Sequence, residues 1–438
     1  MRINFLRKIF WILFCLLGGY WLMNSIDQPL LPGAASLANV VKPVAVPPQN
    51  AYFALLGLDA PASENSVDWG RRVAGNLSHT PAMTSGKPVC DLESQHCLKL
   101  ARQTPTVLQQ ALREQARLQA RYVAARQLPH FVEVFDDEVT LDYSAALRAQ
   151  MLRHAQMALW LESGQIAAIL QELRVDMAFQ RRGLVAARSL ISKMVWLAAL
   201  QRDYVLLADL LRAHPTHLQP YMREVQVLLQ PLSVAERDMR PVLRQEFQWM
   251  AKVVRYSAHQ AWFGGTSEPG WLKHLPAFVA ARLFLPNATL NRCYQLEQLD
   301  EQLAQVGSRE FMAQQSQVAA QQGHWLQPSW RDYYNPAGWE MLRLIRVDYR
   351  GYLRRPWEFD MWLRLLQLQV QARQQGVAER QMGAWVAVQP LRDMFQDAPV
   401  QWDERRRELY VPLAHPAMPY GRFGHGNERL ALPWPEQP

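Results

Sequence analysis

The chain holds no Gly-x-Ser-x-Gly nucleophile elbow, no Gly-x-x-x-x-Gly-Lys-Ser/Thr phosphate loop and no His-Glu-x-x-His pair. The common signatures of serine hydrolases, P-loop nucleotidases and zinc peptidases are therefore missing. An Asp-x-Asp-x-Asp-Gly calcium loop is absent too. No repeat of fixed period occurs, which sets aside a regular tetratricopeptide array. Lysine is scarce: seven of the 47 basic residues, the rest being arginine, a skew that suggests a GC-rich bacterial genome. What remains is ordinary for a folded protein, with 49% hydrophobic and 20% charged residues in 438. That length gives two or three domains' worth of core.

Arg2, Arg7 and Lys8 precede an uncharged run from Ile9 to Ile26, with Trp11, Tyr20 and Trp21 towards its ends. Eighteen helical residues cover about 27 Å, close to the hydrocarbon core of a bilayer. The run is expected to be a single-pass transmembrane anchor within residues 1–26. Basic residues ahead of it place the N-terminus in the cytoplasm and the bulk in the periplasm. A cleaved signal peptide is the rival reading, with Ser36-Leu37-Ala38 as its cleavage site. Phe14 ahead of Cys15 argues against lipidation. Residues 27–50, rich in Pro, Ala and Val, read as an extended tether.

An oxidising compartment decides "KPVCDLESQHCLKLA": Cys90 and Cys97 are expected to pair as a disulfide. The alternative is a zinc site from Cys90, Cys97, His96 and His79, although the spacing fits no common zinc pattern. Cys293 reads as a buried thiol within a helix. "NAYFALLGLDAP" at 50–61 opens the globular part, and 51–104 forms a disulfide-containing N-terminal segment.

From Thr104-Pro105 the apolar period becomes helical, and 105–390 is read as one helical domain. Leu147 to Leu161 form a stripe stopped at Ser163-Gly164. Ile166 to Met177 form another, Gly183 punctuates, and Leu184 to Ala198 form a third. Short turns between such helices imply a stack of antiparallel hairpins, either a bundle or an irregular solenoid. Pro220, Pro231 and Pro241 break the helices that follow, and 271–285 returns to apolar helix. Residues 295–327 are Gln-rich and only weakly amphipathic. Asn335-Pro336 starts a new helix carrying Trp339, and Met361 to Ala372 make the last long stripe, with Asp360 one turn ahead of Arg364. Over 391–438 the pattern alternates: "PVQWDERRRELYVPL" reads as a strand pair and "RLALP" as a third strand. The fold class is mainly α with a small C-terminal β element.

Candidate chemistry is sparse. Glu133, Asp136, Asp137, Glu138 and Asp142 read as helix-flanking charge before they read as a cation or acid–base site. His214 and His217 read as a helix-connecting turn. The basic surplus of +8 includes Arg71-Arg72, Arg181-Arg182, Arg354-Arg355 and Arg405-Arg406-Arg407, which reads as solvated surface or as attraction to lipid or wall polymers. Nucleic acid is not an expected partner, and no residue set is read as holding a metal or cofactor. The informative excess is aromatic: Trp325, Trp330, Tyr333, Tyr334 and Trp339 crowd into fifteen positions. Exposed, they form a binding surface for glycan or for a partner's side chains; buried, they form a helix junction.

The apolar run, "NAYFALLGLDAP", the cysteine pair, "LFLPNATLN" at 283–291, "YYNPAG" at 333–338 and "APVQWDERRRELYV" at 398–411 together resemble an uncharacterised family of proteobacterial inner-membrane-anchored periplasmic proteins. That resemblance implies location and shape, and no activity. The chain departs from the pattern at Trp339, where the family has a lysine. The function expected is non-catalytic binding: an envelope scaffold for a protein partner, with a cell-wall or carbohydrate-binding protein using 325–339 as the alternative.

Overall fold

The computed structural model describes residues 2–39, 46–75, 90, 94–134, 143–263, 284–296, 334–345, 349–393, 397–412 and 429–434. In chain order the helices are α1 (Arg2–Met23), α2 (Pro32–Ala38), α3 (Ala51–Leu56), α4 (Ser66–Gly75), α5 (Ser94–Gln103), α6 (Pro105–Glu114), α7 (Ala116–Gln127), α8 (Ser144–Glu162), α9 (Ile166–Ala186) and α10 (Leu190–Ala213). After these come α11 (Pro215–Leu218), α12 (Met222–Leu228), α13 (Val234–Arg237), α14 (Arg240–Phe263), α15 (Pro286–Leu296), α16 (Pro336–Ile345), α17 (Tyr349–Gln374) and α18 (Met382–Ala387). The protein is mainly helical, with a small antiparallel sheet at its C-terminal end. Its described residues fall into two compact units, one within Met1–Pro43, Leu243–Val306 and Val318–Tyr349, the other within Val44–Val242 and Arg350–Pro438.

In the first unit, α1 ends at Met23. The Asn24 amide donates to the Tyr20 carbonyl at 3.0 Å, and Ser25 Oγ donates to that of Leu22 at 2.8 Å. Among the described residues no helix is long and apolar enough to cross a membrane. α1 falls short of the expected span over 9–26: it ends at Met23, three residues early, where Asn24 and Ser25 turn back on its last carbonyls. From Ile9 onward the apolar side chains of α1 are nonetheless outside any core. Phe10, Leu16 and Leu17 are each over 60% exposed, as is Ile26 just beyond.

The tether expectation is also corrected. Pro32 starts α2, where its missing N–H costs nothing, and Ala34, Leu37 and Ala38 are buried. They share a core with Phe247, Met250 and Val254 of α14, Leu290, Cys293 and Tyr294 of α15, and Trp339 and Leu342 of α16. Cys293 is buried within its helix and not disulfide-bonded, as expected.

The second unit opens at Asn50, whose side chain accepts from Tyr52 N–H at 3.2 Å and caps α3. Cys90 and Cys97 form a disulfide with Cα atoms 5.3 Å apart, and both are buried. Both thiols are consumed, so the zinc alternative falls. α8, α9 and α10 follow the expected stripes, joined by three-residue links. Gly164 (φ 72°) ends the first link's turn in the left-handed region, as glycine permits.

Gly183 does not punctuate: α9 runs through it to Ala186. The reason is packing, since a Cβ there would lie 2.5 Å from the Trp196 ring. The break falls instead at 187–189, where Ser189 Oγ accepts from Ser192 N–H at 3.1 Å and caps α10. The third stripe therefore belongs to two helices. Pro231 lies in the α12–α13 link and Pro241 in the first turn of α14, consistent with breaks. The 271–283 part of the expected apolar helix lies outside the described residues, as does most of 295–327.

The sheet is β1 (Gln401–Asp403), β2 (Glu408–Pro412) and β3 (Arg429–Pro433), in that order and antiparallel throughout. Leu409 pairs with Leu432 and Val411 with Leu430. These four side chains face inward and join the core of α17 and α18.

Candidate functional site

The sequence "YYNPAG" builds the site. Asn335 has φ 61°, a region that asparagine tolerates better than branched residues. From there its amide satisfies four groups. Oδ1 accepts from Leu285 N–H at 2.8 Å and Gly338 N–H at 3.2 Å. Nδ2 donates to Thr289 Oγ1 at 2.8 Å and to the Leu285 carbonyl at 3.1 Å. Pro336 supplies the first helical position, and Gly338 follows because a Cβ there would lie 2.1 Å from Thr289 Oγ1. The starts of α15 and α16 are clamped together by one side chain.

The residues just after α1 are pinned to the same place. Asn24 Oδ1 accepts from Asn335 N–H at 2.6 Å. Asp27 accepts from Asn287 N–H at 2.8 Å and Ala288 N–H at 2.9 Å, capping the positive end of α15. Asn291 accepts from Leu31 N–H at 2.8 Å and donates to the Pro29 carbonyl at 2.9 Å. Tyr334 OH donates to the Ile26 carbonyl at 2.9 Å. Burial, aided by the charge of Asp27, raises the pKa of the Tyr334 phenol, which stays a neutral donor.

Beside this clamp lies a cleft of about 320 Å³. Gln28, Thr289, Arg292, Gln295, Tyr334 and Trp339 line it, with Leu342 at its apolar side. The Arg292 guanidinium sits over the Trp339 ring, 5.3 Å from its centroid. Among the described residues that line it there is no carboxylate, imidazole, thiol or amine. Its described lining offers stacking and hydrogen bonding.

Two of the five aromatic residues singled out in the sequence, Tyr334 and Trp339, thus meet in one cleft. Trp339 is only 8% exposed, so it serves the core with most of its surface and the cleft with the rest. Trp325, Trp330 and Tyr333 lie outside the described residues.

A second polar assembly, invisible to motif reasoning, is buried in the second unit. Asp203 accepts from Gln150 at 2.9 Å and Gln180 at 2.8 Å, and His154 Nε2 lies 2.7 Å from it. Asp176 accepts from Tyr122 OH at 3.0 Å and pairs with Arg126 at 3.1 Å. Arg126 and Arg153 also share Glu172, at 2.6 and 2.7 Å. Burial, then the charge of Asp203, pushes the Asp176 carboxyl up to about 6. These residues sit on α7, α8, α9 and α10, so the network ties four helices. None of them lines the cleft. The only sequence signal was polar residues set inside apolar stripes.

The remaining sequence candidates resolve as local structure. His214 and His217 stack at 5.6 Å, and Arg102 lies 2.6 Å from His214 Nε2, which leaves that nitrogen accepting. Glu133 is buried and accepts from Ser192 Oγ and Arg188 N–H at the start of α10. Asp136, Asp137, Glu138 and Asp142 lie outside the described residues. Arg72 pairs with Glu64, Arg407 with Glu379, and Arg354 with Glu358. Asp360 meets Arg364 at 3.2 Å, as its spacing implied, and it also accepts from Leu232 N–H and Arg237. Among the described residues, no group of three or more His, Cys, Asp or Glu is placed to hold a metal ion.

No family model, no curated protein and no solved structure matches the chain, so the resemblance to membrane-anchored periplasmic proteins is carried by its motifs alone.

Proposed function

We propose that the protein is a membrane-attached binding protein of the bacterial cell envelope, which holds a partner at the cleft between α15 and α16. α1, with its exposed apolar side chains, attaches it to the inner membrane as a signal anchor, and the bulk of the chain faces the periplasm. One observation carries this reading: the cleft is built onto the first residues after an exposed apolar helix. Gln28, five residues beyond Met23, is part of its lining. Five extended residues reach at most about 18 Å, so a cleft anchored there stays near the membrane surface. The lining chemistry supports binding over catalysis, because aromatic, amide and guanidinium groups recognise without transferring protons.

The favoured partner is another envelope protein. Peptidoglycan or a related glycan is the second reading, supported by Tyr334 and Trp339, which offer ring surface beside hydrogen-bonding amides. The test is recovery of tagged full-length protein from crosslinked cells. A companion protein at near-equal amount is expected, and Gln295→Trp, which adds an indole to the cleft lining, should reduce it several-fold. Recovery of glycan fragments instead would favour the second reading. A companion retained equally by the variant would refute the cleft as the binding site.

A further inference from the structure

The second unit carries a different surface that the cleft does not explain. After a bend at Pro129, the chain bridges to Asn50 at His130 and is fixed at several points. Arg182 donates to the carbonyls of Leu128 (2.7 Å), Pro129 (3.3 Å) and Arg126 (2.8 Å). The His130 carbonyl accepts from Ala51 N–H at 2.8 Å, and Val132 exchanges two bonds with the Asn50 side chain, at 2.7 and 2.9 Å. The Phe131 ring is packed between Phe179 and Trp196. Successive residues of an extended chain point their N–H and C=O groups to opposite edges. His130 and Val132 use the edge facing Asn50, so Phe131 presents its pair to the other. That pair has no partner among the described residues.

A groove of about 580 Å³ runs along this segment. Its other wall comes from α9, the α9–α10 link and α13, and it is basic. Arg181 is neutralised there by Glu236, at 3.0 Å. Arg182 spends its donors on carbonyls and keeps its charge uncompensated. Arg188 and His130 are exposed in the groove, and their side chains have no ion-pair partner among the described residues. Val185, 48% exposed, adds an apolar floor.

We infer that this groove binds an extended acidic peptide, which adds as a strand to the free edge at Phe131 while its carboxylates face Arg182 and Arg188. Two features select this occupant. The immobilised edge reads peptide backbone, as in strand addition, and the excess positive charge selects acidic side chains. Phe131 offers both an N–H and a C=O on that edge, whereas Pro129 lacks an N–H and its carbonyl takes Arg182. This site is separate from the cleft and stands or falls independently of it.

The test uses full-length protein in detergent and a fluorescein-labelled Val-Glu-Val-Glu-Val-Glu peptide, read by anisotropy. Saturable binding that weakens with salt is expected. Arg188→Ala, an exposed position, should weaken it at least tenfold, as should N-methylation of alternate peptide bonds. A Val-Lys repeat should not bind. Equal binding of the N-methylated peptide, or full competition by free glutamate at matched charge, would overturn the strand-addition claim. A neutralised variant (Asp136→Asn, Asp137→Asn, Glu138→Gln) guards against self-occupancy by the adjoining acidic stretch. Absence of saturable binding in both wild type and that variant would overturn the proposal outright.

Discussion

Replacing Asn335 by alanine removes the clamp that builds the cleft, and its cost can be worked from the four bonds. The Leu285 carbonyl keeps Thr289 N–H at 2.9 Å and Thr289 Oγ1 at 2.8 Å, so it stays satisfied. Leu285 N–H has no such substitute, and one orphaned buried donor costs about 1–3 kcal/mol. Gly338 N–H loses a longer bond at the start of α16. Alanine at φ 61° adds about 1 kcal/mol of backbone strain. The sum is roughly 3 kcal/mol, or on the order of a hundredfold in local opening. Asn335→Gly removes the same bonds without the strain and should recover about 1 kcal/mol of that loss. Hydrogen exchange, followed by mass spectrometry on peptides covering 285–296, reads the opening directly. Exchange in wild type, alanine and glycine forms should rank in the order wild type, glycine, alanine. An alanine variant that exchanges like wild type would refute the clamp, and a glycine variant worse than alanine would refute the strain argument.

Asp203→Ala should destabilise by about 3–5 kcal/mol in urea unfolding, because it strands two amide donors and His154 in a dry interior. Asp176 gives a pH signature. Its carboxyl, ordinarily near 3.8, is raised to about 6 in the fold, so the folded state holds the proton more tightly than the unfolded chain. Its contribution to stability is complete below about 4 and is lost as pH rises through about 6. Asp176→Asn should flatten the stability difference between pH 4 and pH 7; an unchanged slope would count against the burial argument. Gly183→Ala drives a methyl into the Trp196 ring and should cost about 1–3 kcal/mol in thermal or urea melts. Cys90 and Cys97 should resist alkylation until reduced, and the double serine variant should lose about 2–3 kcal/mol; prompt labelling without reductant would contradict the disulfide.

Much of the architecture was legible because it rests on local rules. The stripes from Leu147 to Met177, the Ser163-Gly164 stop, the Asn335-Pro336 start and the three C-terminal strands follow from periodicity and turn chemistry. Where local rules misled, a tertiary contact decided. Gly183 reads as a stop, yet Trp196 needs the space where its side chain would be. Residues 27–50 read as a tether by composition, but Asp27 and Pro29 bond to α15, some 260 positions later, and small apolar residues of α2 fill a core. The site was half legible: the aromatic excess pointed to Tyr334 and Trp339. Arg292 and Gln28 gave no signal, since only folding brings them beside the motif. The buried Asp176–Asp203 assembly was hidden for the same reason, since its partners lie on four different helices.

A photoreactive residue at Gln295, which is exposed on the cleft lining, would capture an envelope partner held beside α15 and α16. The full-length protein would be irradiated in cells, alongside a control carrying the probe at Gln110, exposed on α6 in the other unit. Binding at the cleft gives one abundant membrane-fraction adduct from position 295 and none of the same mass from 110. The same adduct from both positions, or none from 295, would contradict it.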